Sequence, residues 1–505
     1  MSHPTYLIAS DIHGSAFFAQ ELIEAFEREK ANGLLLLGDI LYHGPRNALP
    51  LGYDPKKVIA LLNPIADKIT CVRGNCDAEV DQMVLDFPLM ADYRTVAVEE
   101  EPYIAPEDTA DVDPALTERL AHYVETAPRI EKSRLGVYVY DITAREDVYG
   151  HRDTVPMIPA SCTKLLTAAV ALHHLGPDHA YDSSLLMYGS VSKGTLYGSL
   201  IVSMDDDPFF PSFDEFVQAL CRKGINHIEG SIVFDLARTD TLRQHHTASP
   251  WDISYNKVPL LMKGAPRIRR EFMHALSAQG ITYHSNPVLA HPWLQGLSKD
   301  EDPAEYRLAL SLARSQSEIL ARTTHSLRSV LFPVLMYSDN ILAEAVHYHI
   351  GHAYDRWTGG GWSTQELTEK FLREEMQIPS GEKKMLSVND GSGLAPANRF
   401  TSRFLVQLLT YAYDHPVMQK VFIDELLPSP LPNRRGTLSG RMKSEKVHGR
   451  VFAKTGTLAA KGVSSLSGYC LGRNGHWYAF AILHEDMAIY EARIFQDRLC
   501  ELLVK

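Results

Sequence analysis

The sequence predicts a chain of two parts: an α/β region at the amino terminus and a larger second domain that carries three short serine- and lysine-containing motifs. Apolar strand-type runs alternate with helical patterns over the first hundred residues, which indicates a parallel sheet. The three motifs then follow in a fixed order. Between the two parts lies an acidic, proline-bearing segment that is typical of a linker. At 505 residues, the chain is also longer than a single hydrophobic core usually allows.

Each predicted strand of the first region is followed by polar residues. The apolar run 6–10 is followed by Asp11 and His13. The run 34–37 is followed by Asp39, and the run 69–72 is followed by Asn75. Helical patterns near 16–31 and 55–63 complete a βαβαβ order, so these side chains are expected at one edge of the sheet. Carboxylate, imidazole and amide donors suit Mn²⁺, Zn²⁺ or Fe. A bridging carboxylate, here Asp39, is what a two-metal phosphoesterase centre requires.

Residues 1–99 resemble the calcineurin-like metallophosphoesterases, and most closely the small bacterial YfcE-type phosphodiesterases. Gly38–Pro50 and Val72–Met83 carry the resemblance. It implies that a divalent metal, Mn²⁺ or Zn²⁺, binds to Asp11, His13, Asp39 and Asn75. The family's other ligands are histidines of later H-G-H and G-H-x-H motifs, and this chain has neither. We therefore predict a truncated α/β sandwich with an incomplete, weak metal site and negligible phosphodiesterase activity.

The three motifs of the second domain are Ser161-Cys162-Thr163-Lys164, Ser338-Asp339-Asn340 and Lys454-Thr455-Gly456. Positions i and i+3 share one face of a helix, so Ser161 and Lys164 are expected to meet at the start of an apolar, buried helix. Free N–H groups at a helix start favour a developing oxyanion. Burial and a second cation, Lys454, are expected to lower the pKa of Lys164, so that it can accept the serine proton.

The order of these motifs is the signature of β-lactamases and penicillin-binding proteins. Together with Asp390–Leu394 and Lys454–Leu458, it makes residues from about 101 to 505 resemble the class C low-molecular-mass penicillin-binding proteins, which are serine D-Ala-D-Ala carboxypeptidases and endopeptidases. The resemblance implies an α+β, β-lactamase-like transpeptidase fold with an antiparallel sheet flanked by helices and a helical subdomain.

The resemblance also implies roles for individual residues. Ser161 is the expected nucleophile and Lys164 its base, and the backbone N–H groups of Ser161 and Thr457 are the expected oxyanion hole. Ser338 and Asn340 are expected to line the cleft as a proton relay and a hydrogen-bonding group. Lys454 and Thr455 are expected to hold the substrate carboxylate, and Gly456 and Thr457 complete the set of residues expected to bind substrate. No cofactor is implied for the peptidase, and the implied partners are peptidoglycan stem peptides and β-lactams.

These interpretations divide the chain into a phosphoesterase-like part at 1–99, a linker at 100–117 and a penicillin-binding domain at 118–505 with a reduced insert at about 182–300. The predicted function is a serine-type D-Ala-D-Ala carboxypeptidase or endopeptidase that acts through an acyl-enzyme. Two alternatives stay open: a metal-dependent phosphodiesterase, completed by oligomerisation, and a fusion that binds peptides or β-lactams without turnover. The oligomeric state stays open as well.

Composition narrows the possible partners and compartments. Fifty Lys and Arg residues stand against 62 Asp and Glu residues, a net charge of −12, which argues against a nucleic-acid-binding surface. No apolar run is long enough to span a membrane. The family acts in the periplasm or cell envelope, whereas the first residues lack the pattern of a signal peptide. The sequence as written therefore predicts a cytoplasmic protein, and the two locations remain alternatives.

Overall fold

In a computed structural model, the chain forms two compact units, Met1–Asp108 and Thr109–Lys505. The structure describes residues 5–43, 49–74, 76–90, 114–237, 240–249, 257–297, 303–358, 362–431, 434, 436–442 and 444–504. Most of the predicted linker at 100–117 lies outside these ranges. Its last four residues lie at the start of a helix, which begins at Pro114.

The first unit is a three-stranded parallel sheet with helices between its strands. Its elements are β1 (Tyr6–Ala9), α1 (Ala16–Arg28), β2 (Gly33–Leu36), α2 (Pro55–Leu62), β3 (Ile69–Cys71) and α3 (Glu79–Gln82). The strand order is β1-β2-β3, and both strand pairs are parallel. The predicted α/β arrangement of this region is therefore confirmed.

Local sequence explains where the helices of this unit begin. Ser15 caps α1, because its Oγ accepts a hydrogen bond from the backbone N–H of Phe18. Asp54 caps α2 in the same way, and Pro55 occupies the first turn, where its missing N–H costs nothing. The core includes Leu34, Leu36, Val58 and Leu62, all fully buried.

The second unit contains most of the secondary structure. Its elements are α4 (Pro114–Thr126), β4 (Leu135–Asp141), β5 (Glu146–His151), α5 (Thr163–Leu175), β6 (Ala180–Ser192), β7 (Thr195–Met204), α6 (Asp214–Arg222), β8 (His227–Leu236), α7 (Ala265–Ala278), β9 (Thr282–Ser285), α8 (Pro303–Ser315), β10 (Glu318–Ser326), α9 (Leu327–Met336), α10 (Asn340–Thr358), α11 (Thr364–Lys370), α12 (Ser380–Lys383), α13 (Ser402–Asp414), α14 (Pro416–Gln419), β11 (Val451–Leu458), β12 (Val463–Leu471), β13 (Trp477–His484) and α15 (Ile489–Val504).

A five-stranded antiparallel sheet in the order β11-β12-β13-β4-β5 forms the centre of this unit. Side chains alternate across a strand, and β13 shows how this divides the core. Phe480 and Ile482 pack with α4 and α15 on one face. Ala479, Ala481 and Leu483 pack with α5, α9, α10 and α13 on the other. This is the predicted α+β fold, in which the antiparallel sheet is flanked by helices.

A second five-stranded sheet has the order β10-β6-β7-β8-β9. Strands β10, β6 and β7 pair antiparallel, whereas β7, β8 and β9 pair parallel. The sheet has its own apolar core against α6 and α7. It occupies the region for which a reduced insert was predicted at about 182–300, and its last strand extends to Ser326. No helix within the described ranges is long and apolar enough to cross a membrane.

Candidate active site

The start of helix α5 brings Ser161 and Lys164 together. Ala160–Cys162 form a 3₁₀ turn that leads directly into the helix. Lys164 Nζ lies 2.9 Å from Ser161 Oγ. Ala160 has a φ of 46°, a left-handed conformation that non-glycine residues rarely adopt and that is often found at functional sites. The lysine side chain is fully buried, and Ser161 is partly exposed.

The second motif reaches the same lysine from helix α10. Asp339 caps this helix, since its carboxylate accepts a hydrogen bond from the backbone N–H of Leu342 at 2.9 Å. Asn340 is thereby placed at the helix start, where its Oδ1 accepts a hydrogen bond from Lys164 Nζ at 2.8 Å. Ser338 adopts a left-handed φ of 62°. The middle residue of the motif is therefore structural, while its outer residues face the site.

A third contact to Lys164 comes from the segment between the second and third motifs. The carbonyl oxygen of Ser392 accepts a hydrogen bond from Lys164 Nζ at 2.5 Å. The buried carboxylate of Asp390 holds this loop, because it accepts hydrogen bonds from the backbone N–H groups of Gly393 and Ala395 and from Asn398 Nδ2. The sequence identified this segment as a family marker without assigning it a function in the site.

Burial dominates the electrostatics of the lysine. It lowers the pKa of Lys164 to about 8, although the nearby carboxylates of Asp390 and Glu344 raise it in part. Glu344 is itself buried, and burial followed by the charge of Asp390 raises its pKa to about 7. At pH 7, a pKa of about 8 leaves roughly a tenth of Lys164 uncharged, far more than for an ordinary lysine, and the uncharged amine is the form that can act as a base.

The third motif lies on strand β11 beside the serine turn. Ser465 of the neighbouring strand donates a hydrogen bond to the carbonyl of Pro159 at 2.6 Å, which anchors the turn to the sheet. A Cβ at Gly456 would lie 3.0 Å from the backbone nitrogen of Ser161, so the glycine permits this close approach.

Lys454 is fully buried, and its Nζ donates a hydrogen bond to the carbonyl of Thr455 at 2.9 Å. Burial, and then the charge of Lys164, lowers the pKa of Lys454 to about 7. Its ammonium group thus lies behind the wall of the cleft, where it faces no solvent.

The cleft has a volume of about 390 Å³. The residues that line it are Ser161, Ser338, Asn340, Thr437, Arg441, Thr455, Thr457 and Arg493. Five of the eight predicted residues are therefore on its surface, and Lys164, Lys454 and Gly456 are buried behind it. Thr437, Arg441 and Arg493 were not predicted. They belong to no recognisable motif, and only the packing of α15 against the sheet places Arg493 here.

The predicted metal residues of the first unit also lie together, apart from Asn75, which is outside the described residues. His13 Nε2 lies 3.3 Å from Asp11 Oδ1 and 3.9 Å from Asp39 Oδ2. The Nδ1 of His13 lies 2.7 Å from the carbonyl oxygen of Tyr42, the contact that orients many metal-binding histidines. The ligand atoms of His13, Asp39 and Cys76 lie within 4.8 Å of one another. This donor set fits a divalent metal ion, and Cys76 was not among the predicted ligands.

The helix-flanked antiparallel sheet and the Ser–Lys pair at the start of α5 define the class of β-lactamase-like, penicillin-binding proteins. The chain belongs to the D-Ala-D-Ala carboxypeptidase 3 (S13) family, which it matches over residues 116–259 and 307–503. Residues 4–136 match the calcineurin-like phosphoesterase family.

Individual relatives agree with both matches. The chain is 24% identical over 431 residues to the D-alanyl-D-alanine carboxypeptidase of Actinomadura sp. (strain R39), covering 71% of this chain and 78% of the relative. It is 52% identical over 95 residues to the phosphodiesterase YfcE of Escherichia coli (strain K12), covering 19% of this chain. The matched region spans about half of that phosphodiesterase, 52% of its length.

A solved structure supports the fold of the second unit. The crystal structure of penicillin-binding protein 4 from Haemophilus influenzae has a TM-score of 0.55 and 17% sequence identity to the chain. The superposition covers 77% of this chain and 100% of the Haemophilus influenzae chain. This likeness concerns the fold alone.

Proposed function

We propose that the second unit is a serine-type D-Ala-D-Ala peptidase that acts on peptidoglycan stem peptides and is acylated by β-lactams. The three contacts of Lys164 Nζ carry this proposal. A neutral amine has two N–H donors and one lone pair. Asn340 Oδ1 and the carbonyl of Ser392 are acceptors and can take both donors. An ammonium would donate its third hydrogen bond to Ser161 Oγ, whereas in the uncharged amine the lone pair is left for the hydroxyl proton of Ser161, so the same contact serves the basic form of the lysine.

In the acylation step, Ser161 Oγ attacks the carbonyl carbon of the peptide or β-lactam while its proton passes to Lys164 Nζ. The oxygen of the attacked carbonyl becomes an oxyanion, and the N–H groups of Ser161 and Thr457 are the proposed donors that stabilise it. The C–N bond then breaks, and the departing amine takes a proton. Ser338 lines the cleft and is the proposed relay for that proton from Lys164.

Hydrolysis of the acyl-enzyme completes the reaction. A water molecule attacks the ester carbonyl, and its proton passes to the neutral Lys164. The C–O bond to Ser161 breaks, and the proton returns to Ser161 Oγ. The peptide, shortened by one residue, leaves with a free carboxylate. In this proposal the same base serves both halves of the cycle.

Turnover of a defined peptide tests this function. The purified full chain should release D-alanine from a peptide that ends in D-Ala-D-Ala, and benzylpenicillin should block the release. Ser161→Ala should release none, because the acyl-enzyme cannot form. As a control, Ser212→Ala changes a half-buried serine outside the cleft and should behave like the unaltered chain. Equal release by Ser161→Ala would exclude the proposed nucleophile.

A second candidate function, metal binding, concerns the first unit. Asp11, His13 and Asp39 would hold one divalent ion, with Asn75 as a further ligand implied by the family. The thiol of Cys76 adds a soft donor, which favours Zn²⁺ over Mn²⁺. Such an ion supplies Lewis-acid chemistry when bound. Because the later histidines are absent from the sequence, we propose weak binding without useful phosphodiester turnover.

We expect Co²⁺ titration of the full chain to produce a thiolate-to-metal charge-transfer band at no more than one ion per chain. The band should vanish in Cys76→Ser and persist in Cys221→Ser, which changes an exposed cysteine of the second unit. The hydrolysis of bis(p-nitrophenyl) phosphate should stay at background. Two tightly bound ions per chain, with phosphodiester turnover that is lost in Asp39→Ala, would overturn this view.

A further inference from the structure

Two arginines, Arg441 and Arg493, line the cleft, and they differ in whether a carboxylate of the protein pairs with them. The Nε of Arg441 and one of its terminal nitrogens both donate to Asp497 Oδ1, at 2.9 and 2.6 Å. This ion pair is largely buried, since the side chain of Arg441 is 10% exposed. The charge of Arg441 is therefore committed to a partner within the protein.

Arg493 is in the opposite situation. It is exposed on α15, and its only side-chain hydrogen bond among the described residues goes to the neutral hydroxyl of Thr457, at 3.3 Å. No described carboxylate forms an ion pair with it. Its helical neighbours Ala492 and Gln496 are buried against the sheet, so the guanidinium lies at the edge of that packed face and lines the cleft. A full positive charge thus faces the cleft, and none of the described carboxylates serves as its counterion.

The lysine of the third motif cannot substitute for this charge. Lys454 is fully buried, directed at a backbone carbonyl and only partly protonated near neutral pH. The hydroxyls of Thr455 and Thr457 on the lining offer hydrogen bonds but no charge. Among the cationic groups that line this end of the cleft, the guanidinium of Arg493 is exposed and has no ion-pair partner in the described part of the chain.

We propose that Arg493 binds the free α-carboxylate of the residue that leaves during acylation, and so makes the enzyme select acids over the corresponding amides. This inference rests on the proposed peptidase function. The guanidinium fork matches the geometry of a carboxylate, and Thr457 holds the fork beside the strand along which the substrate is expected to lie. Selection then depends on the exposed charge of Arg493, because the charge of the third motif, on Lys454, is buried.

The test compares diacetyl-L-lysyl-D-alanyl-D-alanine with its C-terminal amide, by chromatography of the released D-alanine or D-alaninamide. Arg493→Ala should lower kcat/KM for the acid by about tenfold, mainly through KM, which is the lower end expected for a charged hydrogen bond. The value for the amide should stay unchanged, so the ratio of the two should fall by the same factor. Arg493→Lys should restore part of the preference. Added salt should weaken the preference of the unaltered chain and have little effect on Arg493→Ala.

Arg498→Ala is the matched control, because it removes an exposed arginine of the same helix that pairs with Glu501 away from the cleft. It should keep the full preference for the acid. If Arg493→Ala reduced both peptides equally, or neither, the proposal would be wrong. If the unaltered chain hydrolysed neither peptide, the peptidase function would be overturned and this inference with it. The two failures are therefore distinguishable.

Discussion

Replacing Lys164 by alanine should slow acylation by benzylpenicillin about 10²–10⁴-fold, the usual contribution of a general base. The expected loss is large because no other described base contacts Ser161 Oγ, and an unactivated serine is a weak nucleophile. The unaltered chain should also acylate faster as the pH rises through about 8, since burial lowers the pKa of Lys164 to that value and the neutral amine is the reactive form. Stopped-flow measurement with a fluorescent penicillin gives both results.

Lys223→Ala provides the control, because that lysine is exposed, follows the last residue of α6 and pairs with Glu318 of the second sheet. Its acylation rate should equal that of the unaltered chain. Thermal unfolding must show that Lys164→Ala is folded, since the change leaves a buried space. A folded Lys164→Ala that acylates at the normal rate, or a rate that falls as the pH passes 8, would show that Lys164 is not the base.

Replacing Gly393 by alanine should reduce acylation by at least about 100-fold, because a displacement of about 1 Å in an active site can cost that much. Gly393 has a φ of +82°, and its missing side chain leaves room for the serine turn. An added Cβ would overlap the carbonyl of Ala160 and lie 3.0 Å from the backbone nitrogen of Ser161. The turn that carries the proposed nucleophile and one proposed oxyanion donor would therefore have to move.

Gly280→Ala separates this clash from ordinary backbone strain. Gly280 also has a positive φ, +73°, but an added Cβ there meets no atom within 4 Å. It should lose about 1 kcal/mol or more of folding free energy from the left-handed conformation alone and keep its acylation rate. If the two variants acylated equally well, the close packing of Gly393 against the serine turn would have no functional importance.

The local parts of the site were predictable because they depend on short spacings. Ser161 and Lys164 are three residues apart on a helix, and this fixes their proximity. The three parallel strands of the first unit were predicted because apolar strand-type runs alternate with helical patterns in the sequence. The observed strand order β1-β2-β3 agrees with that prediction. Their polar ends place Asp11, His13 and Asp39 together, as expected for residues at the carboxyl ends of parallel strands.

Other features depend on long-range packing and could not be read from spacing. The burial of Lys454 depends on how β11 lies against the serine turn. The contact of the Ser392 carbonyl with Lys164 joins residues 228 positions apart. Arg493 enters the cleft because α15 packs on the sheet, and its sequence neighbours form no motif. The second sheet contains both antiparallel and parallel strand pairs. This could not be predicted either, since the apolar pattern of a strand does not reveal the direction of the neighbouring strand.

The most direct test of the central claim is mass spectrometry of the full chain after treatment with benzylpenicillin. We expect a single covalent adduct with the mass of one penicillin, and peptide mapping should place it on Ser161. Ser161→Ala should carry no adduct under the same conditions. An adduct on another residue, or an equal adduct in Ser161→Ala, would contradict the assignment of Ser161 as the nucleophile.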